Sequence, residues 1–152
     1  WIANCSDQQR LSPFVDWHQD VIDLLNIDTQ WGGWGIYALD RATCPYHQHI
    51  CLIGDAAHAM LPYAAQGGAA GIEDAAVLAE VCAEHPKEME QAFQVFWQKR
   101  EKRLNRLISL AKANRRIYHL PPRRAAVRDF ALKLVPQPLL QWRMDWNYGW
   151  EI

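Results

Sequence analysis

Residues 50–80 read Ile50-Cys51-Leu52-Ile53-Gly54-Asp55-Ala56-Ala57-His58-Ala59-Met60-Leu61-Pro62-Tyr63-Ala64-Ala65-Gln66-Gly67-Gly68-Ala69-Ala70-Gly71-Ile72-Glu73-Asp74-Ala75-Ala76-Val77-Leu78-Ala79-Glu80. The apolar run 50–53, ending on Gly54-Asp55, predicts a buried strand. A stretch with Pro62 and three glycines follows, predicting a connecting loop over 54–71 whose backbone can approach a ligand closely. Ile72-Glu73-Asp74 then opens an amphipathic pattern, so a helix is expected to start within about two residues of Ile72. Its unpaired N–H groups would point at whatever the loop encloses.

Each residue type has a chemical reason to be there. Gly54 lets the chain leave the strand without a side chain obstructing the space beyond the sheet edge. Asp55 is a short acceptor at a strand's C-terminal end, where α/β sheets hold sugar or polyol hydroxyls. Gly67, Gly68 and Gly71 leave room that a Cβ would fill. Taken singly these signals are ordinary: Gly-Asp is a common turn, and Glu73 and Asp74 suit the first turn of any helix. Together, Gly54, Asp55, His58, Pro62, Gln66, Gly67, Glu73, Asp74 and Ala75 stand in one register.

That register resembles the second flavin-binding motif of the FAD-dependent aromatic hydroxylases, the class A flavoprotein monooxygenases. The salicylate and hydroxynicotinate hydroxylase type is the nearest group. The resemblance implies that Gly54, Asp55, Pro62, Gly67, Gly68, Ala69, Ala70 and Gly71 contact FAD. Asp55 would bind the ribityl chain, Pro62 would lie over the isoalloxazine, and residues 67–71 would pass beside its pyrimidine end. Ala69 replaces the Asn often found in that loop. A helix N-terminus there would favour the anionic reduced flavin. Tyr63 is a candidate substrate-side residue, as pocket wall or hydrogen-bond partner, or else a structural tyrosine; Tyr37 is a weaker candidate. His58 reads as a structural hydrogen-bonding residue, and no catalytic base is identifiable.

The 152 residues are enough for the core of one ordinary domain, with half of them hydrophobic and 22% charged. No apolar run reaches the roughly 18 residues of a membrane span. Cys5, Cys44, Cys51 and Cys82 show no disulfide-framework spacing, which fits a reduced, cytoplasmic setting. The chain opens on Trp1-Ile2-Ala3-Asn4-Cys5-Ser6, without an initiator Met or a signal pattern. Nothing matches the G-x-G-x-x-G turn that holds a dinucleotide pyrophosphate; Gly32-Gly33-Trp34-Gly35 precedes no helix. The resemblance therefore implies the C-terminal portion of such an enzyme, inactive by itself.

Elsewhere, Ser12-Pro13 reads as an N-cap and first helical residue, with Phe14, Trp17, Val21, Leu24 and Leu25 at helical spacing to about Asn26. Residues 29–35 read as a turn-rich connection and 34–39 as a strand. After the central motif, the helix from Ile72 is expected to end near Glu84, before Pro86. A long helix follows from about Lys87 towards Tyr118, with Ala92, Phe93, Phe96, Arg100, Leu104, Leu107, Ile108 and Ala111 along one side. A further helix is expected over 124–134. Tyr118-His119-Leu120-Pro121 and the closing Asp145-Trp146-Asn147-Tyr148-Gly149-Trp150 resemble an end-of-helix signature and tail of the same family.

Two rival constellations compete. Residues 1–90 carry 3 Lys/Arg against 13 Asp/Glu, and residues 91–152 carry 13 against 4. The basic stretch from Lys99 to Arg128 could read as a nucleic-acid-binding helix. Packing against acidic segments is the plainer account, and the pI near 6.6 favours it. Cys44, His47, His49 and Cys51 offer four zinc-type ligands, but with only one Cys-x-x-type corner; no metal is expected.

The expected fold is α/β, α+β within this chain: the C-terminal part of an FAD/NAD(P)-binding Rossmann-like flavoprotein monooxygenase fold. Residues 1–44 would end the substrate-binding region, 45–86 carry the FAD motif, and 87–152 form a helical C-terminal region. By resemblance the parent protein consumes NAD(P)H and O₂ and hydroxylates a phenol or aromatic acid through a flavin C4a-hydroperoxide. A reductase or dehydrogenase of the same superfamily, or a non-enzymatic basic module, are the alternatives. No nucleic-acid partner and no membrane span are expected.

Overall fold

The computed structural model describes residues 2–4, 6–27 and 31–150. Cys5, and Thr29 and Gln30 in the expected 29–35 connection, lie outside the described residues. The chain divides into two compact units, Trp1–Ile36 and Tyr37–Ile152.

In the first unit, β1 (Ile2–Asn4) pairs antiparallel with β2 (Gly32–Trp34), Ile2 opposite Trp34 and Asn4 opposite Gly32. The single helix expected from Ser12 is replaced by three shorter pieces that begin ahead of Ser12. The first is α1 (Asp7–Leu11), capped by Ser6, whose hydroxyl accepts from the Gln9 N–H while the Gln9 side chain accepts from the Ser6 N–H. This reciprocal capping box starts the helix six residues early. Pro13 then sits in a 3₁₀ turn, Ser12–Phe14, and Phe14 meets Trp17 edge to face at 5.1 Å. A second helix, α2 (Gln19–Leu25), restarts after His18, whose Nδ1 accepts from the Asp20 N–H. Trp17 and Leu24, placed by spacing on an apolar face, are exposed. The strand expected over 34–39 is also displaced: β2 takes only Trp34 from it and pairs Gly32, Gly33 and Trp34 with β1, while 35–39 stand in no regular structure.

The second unit opens with a segment in no regular structure and then a small antiparallel hairpin, β3 (Tyr46–His47) with β4 (Ile50–Cys51). The strand expected over 50–53 is thus half as long, and its neighbour among the described residues is antiparallel. One further bond, Leu52 N–H to the Pro45 carbonyl at 2.8 Å, extends the pairing before Ile53 leaves it.

The short α3 (Asp55–His58) and four longer helices build the described remainder: α4 (Gly67–Glu84), α5 (Met89–Tyr118), α6 (Pro122–Leu134) and α7 (Gln137–Tyr148). The core lies between α4 and α5. Ala70, Leu104, Leu107 and Ile108 pack with Ala42, and Met60, Trp97 and Trp146 close over them. Val77, Val81, Ala92 and Phe96 form a second cluster bordered by Cys51, Leu78, Cys82, Val95 and Trp150. Burying each such aliphatic or aromatic side chain contributes about 1.5–3 kcal/mol. Every α5 residue placed on the apolar side by spacing is buried, Arg100 included. α7 falls within the helical region expected over 87–152, where no bounds follow from the sequence beyond 134; Pro136 is its N-cap and Pro138 lies in its first turn, where no donor is missed.

The largest departure concerns the central motif. The helix expected near Ile72 begins at Gly67, and the stretch before it contains a short helix, α3 (Asp55–His58), and a 3₁₀ turn, Pro62–Ala64. Gly67, Gly68 and Gly71 are therefore helical. Their low intrinsic helix propensity, about 1 kcal/mol below alanine, is offset by the burial of Ala70 and the close approach of Gly71 to Gly54. Glu73 and Asp74 consequently lie in the helix interior, where the dipole argument does not apply to them.

Candidate functional site

Gly54 ends the extended segment with φ at +59° and ψ at −144°, a conformation open in practice to glycine alone. Its carbonyl accepts from the N–H groups of Ala57 and His58, which starts α3 and sets Asp55 on the surface. Gly71 comes against this bend: a Cβ on Gly71 would stand 3.5 Å from Gly54 Cα. Strand end and helix start therefore meet backbone to backbone.

The first turn of α4 is bare. Gln66 is buried but supplies no side-chain cap, and the first intrahelical bond runs from the Ala70 N–H to its carbonyl at 2.8 Å. The donors ahead of Ala70 have no intrahelical acceptor. A Cβ on Gly67 would lie 3.8 Å from Asp55 Oδ1, whereas one on Gly68 would meet nothing within 4 Å. Gly68 and Ala69 are exposed, and Ala70 is fully buried in the core beneath them. A carboxylate and backbone donors without intrahelical acceptors thus border one surface, open at Gly68 and flanked at Gly67 by Asp55 and Met60. Such a surface fits a flavin, which presents polyol hydroxyls and ring carbonyl and N–H groups.

Pro62 is exposed at the start of its 3₁₀ turn, and Tyr63 is half-buried behind it. Ala65 closes the turn in the left-handed region, φ +51°. Tyr37 is exposed and stands in no strand.

Behind the open surface lies a buried ionic network. Asp74 is fully buried on α4; its Oδ2 accepts from the Gly54 N–H at 3.0 Å and pairs with His58 Nε2 at 2.5 Å, and its Oδ1 accepts from Arg100 Nε at 2.8 Å. Arg100 Nη2 also donates to the Ala70 carbonyl, and Nη1 stands 2.8 Å from Glu73 Oε2 in an ion pair without hydrogen-bond alignment. Glu73 receives both Nε and Nη2 of Arg103 at 2.7 and 2.5 Å. Arg103 in turn donates to the carbonyls of Trp146 and Asn147, pinning the end of α7. Trp150 lies under both guanidinium groups, 4.8 Å from Arg100 and 4.7 Å from Arg103.

Burial alone would raise the Asp74 pKa, but hydrogen bonds from His58, the Gly54 amide and Arg100 outweigh it and hold the carboxyl below its usual range. Glu73 behaves alike: burial opposes, and the Arg103 bonds with the adjacent Arg100 guanidinium prevail and hold it below its usual range. Both carboxylates are ionised partners that fix the strand end, α3, α4 and α5 around one point.

The sequence placed Glu73, Asp74 and His58 in the motif but not their partners. The missed signal was Arg100 itself: an arginine spaced four residues from both Phe96 and Leu104 on an apolar face implies a buried acid opposite. The basic helix also spends other charges on acids, Lys99 with Glu80 at 3.1 Å and Lys112 with Asp40 at 2.8 Å, while Arg106 stacks on Trp146. On the hairpin, burial and then the nearby Asp74 push the Cys51 thiol up to about 11, away from the thiolate a metal needs. Among the described residues, no three His, Cys, Asp or Glu side chains are grouped to hold a metal ion. Nor, among them, is any helix long and apolar enough to cross a membrane.

Comparison with known proteins identifies the family. Residues 36–122 match the FAD binding domain family, and the chain belongs to that family. It is similar to 3-hydroxybenzoate 6-hydroxylase of Klebsiella oxytoca, 28% identical over 150 residues, covering 99% of this chain and 38% of that protein. It is similar also to 3-amino-4-hydroxybenzoate 2-monooxygenase PtnB3 of Streptomyces platensis, 27% identical over 155 residues with the same coverage. A salicylate hydroxylase of Pseudomonas putida is 35% identical over 81 residues, 53% of this chain and 19% of that protein. The chain thus spans 38% of the length of the first two relatives. The family's cofactor is FAD.

Proposed function

We propose that this chain is part of an FAD-dependent, NAD(P)H-consuming monooxygenase that hydroxylates a phenolic aromatic acid. The observation that carries the reading is the uncapped first turn of α4 beside Asp55, with Gly68 facing open space. The relatives' names, which speak of hydroxybenzoates and salicylate, supply the substrate class.

When bound and reduced, FAD supplies the activation of O₂ at its C4a position and the transfer of one oxygen atom to the ring. The chain's residues bind and orient. Asp55 accepts hydrogen bonds from the ribityl hydroxyls. The backbone of 67–71 approaches the pyrimidine end, where the helix N-terminus favours negative charge. Pro62 covers the ring system, and Tyr63 stands on the substrate side. The Asp74 network keeps Gly54 and α4 in mutual register, so that Asp55 and the helix terminus address the same molecule. Residues 1–44 belong to the substrate-binding region and 87–152 to a helical support.

Asp55→Ala in the natural full-length protein tests this. A charge-assisted hydrogen bond to a hydroxyl is worth about 1.5–3 kcal/mol, so FAD should be lost on desalting while the protein stays folded. Equal flavin absorbance in mutant and wild type would reduce Asp55 to a turn residue.

A further inference from the structure

The turn carrying Pro62 is held by the far end of the long helix, in contacts that neither the flavin reading nor the family match assigns. Asn114 Nδ2 donates to the Tyr63 carbonyl at 2.9 Å. One helical turn on, Tyr118 meets the Tyr63 ring edge to face at 6.0 Å between centroids, and His119 meets it at 5.4 Å with planes at 90°. His119 is itself fixed, its Nδ1 donating to the Arg115 carbonyl at 2.8 Å. α6 follows from Pro121, and its Arg128 Nη1 donates to the Ile117 carbonyl at 2.6 Å, so this helix end is also tied to the next helix.

The turn held in this way carries backbone strain. Ala65 is left-handed at φ +51°, where a side chain other than glycine's is unfavourable, and it immediately precedes Gln66 and α4. Such a conformation persists only where the surroundings impose it. The surroundings here are the buried Ala64 on one side and the Asn114–Tyr118–His119 grip on Tyr63 on the other.

We propose that Asn114, Tyr118 and His119 are positioning residues that set the height of the Pro62 turn over the flavin ring and so couple the end of α5 to the cofactor. The proposal rests on the flavin reading above. The Asn114 bond fixes the backbone, and the two rings fix the Tyr63 side chain, so Pro62 has one direction in which to present its face.

Asn114→Leu keeps the bulk and removes the donor; Asn114→Gln restores one. Two measurements on the full-length protein separate the possibilities: amide exchange over residues 62–66 without FAD, and FAD titration with the visible circular dichroism of the bound flavin. Asn114→Leu is expected to speed exchange over 62–66 roughly 2–10-fold, the range for one neutral hydrogen bond, with a changed flavin band and partial recovery in Asn114→Gln. Tyr118→Leu, at an exposed residue with little risk to folding, should act in the same direction. Unchanged exchange would overturn the clamp while leaving the flavin reading intact. Faster exchange with an unaltered flavin band and affinity would overturn the link to the cofactor. A wild-type protein that takes up no FAD would overturn the flavin reading and this proposal with it.

Discussion

Asp74 and Arg100, both wholly buried, face one another across the α4–α5 interface with Oδ1 and Nε 2.8 Å apart. The pair stands 26 residues apart in sequence and also gathers Gly54, His58 and Ala70. Burying two charges is costly, and it is offset here by the three partners on Asp74 and by the Ala70 carbonyl and the Glu73 charge beside Arg100. Removing one partner leaves the other charged and alone. Asp74→Ala should therefore destabilise the protein by about 3–5 kcal/mol, and Arg100→Met by a similar amount. In urea unfolding the double variant should be clearly less destabilised than the sum of the two, since residues within one network do not add. Strict additivity would show that the pair is not coupled.

The same network makes acid stability specific. Glu73 and Asp74 both have folded pKa values held below their unfolded ones. Their contribution is complete above the ordinary carboxylate range of about 4 and is lost as the pH falls through that range towards the depressed values. The urea midpoint should be flat from pH 7 to about 5.5 and fall steeply below about 4. Glu73→Gln should flatten that fall, because a group that no longer titrates gives up its share of the slope. An equally steep fall in Glu73→Gln would place the acid sensitivity elsewhere.

Arg103 joins the central motif to the end of the chain, pairing through two nitrogens with Glu73 while donating to the Trp146 and Asn147 carbonyls. Lysine keeps the charge but not the fork. Arg103→Lys should free the end of α7, seen as faster amide exchange over 145–150, with α4 and α5 protection little changed. Protection over 145–150 equal to wild type would mean that Trp146 and Trp150 packing alone holds the tail.

What was legible in the sequence follows from where the determining forces are local. The α5 face was readable because nine buried positions keep the helical period over its first six turns. The start of α4 was not, because glycines lower helix propensity locally while the contact of Gly71 with Gly54 that favours the helix is made 17 residues away. The same holds for 50–53, where apolar character signalled a strand but the partner that would lengthen it is not among the described residues. In the site, Asp55 and the glycines are candidates by residue type alone, whereas the Arg100 and Asn114 contacts depend on which helix lies opposite.

Two glycines of the motif should respond in opposite ways. Gly54 needs its φ of +59°, so Gly54→Ala should cost about 1–3 kcal/mol of stability whether or not a ligand binds. Gly68 has an ordinary helical backbone and open space around it, so nothing in the chain requires the missing Cβ. Gly68→Ala should leave the fold unchanged or improve it by up to about 1 kcal/mol, since alanine is the better helix former. If the open face is where the flavin ring passes, that same methyl group stands in its way, and FAD affinity should drop by about tenfold or more, equivalent to some 1.4 kcal/mol. Thermal unfolding of the FAD-free protein and FAD titration, measured side by side, give the two answers separately. A Gly68→Ala variant that is both as stable as wild type and equally tight for FAD would show that the bare first turn of α4 is not the surface the cofactor uses.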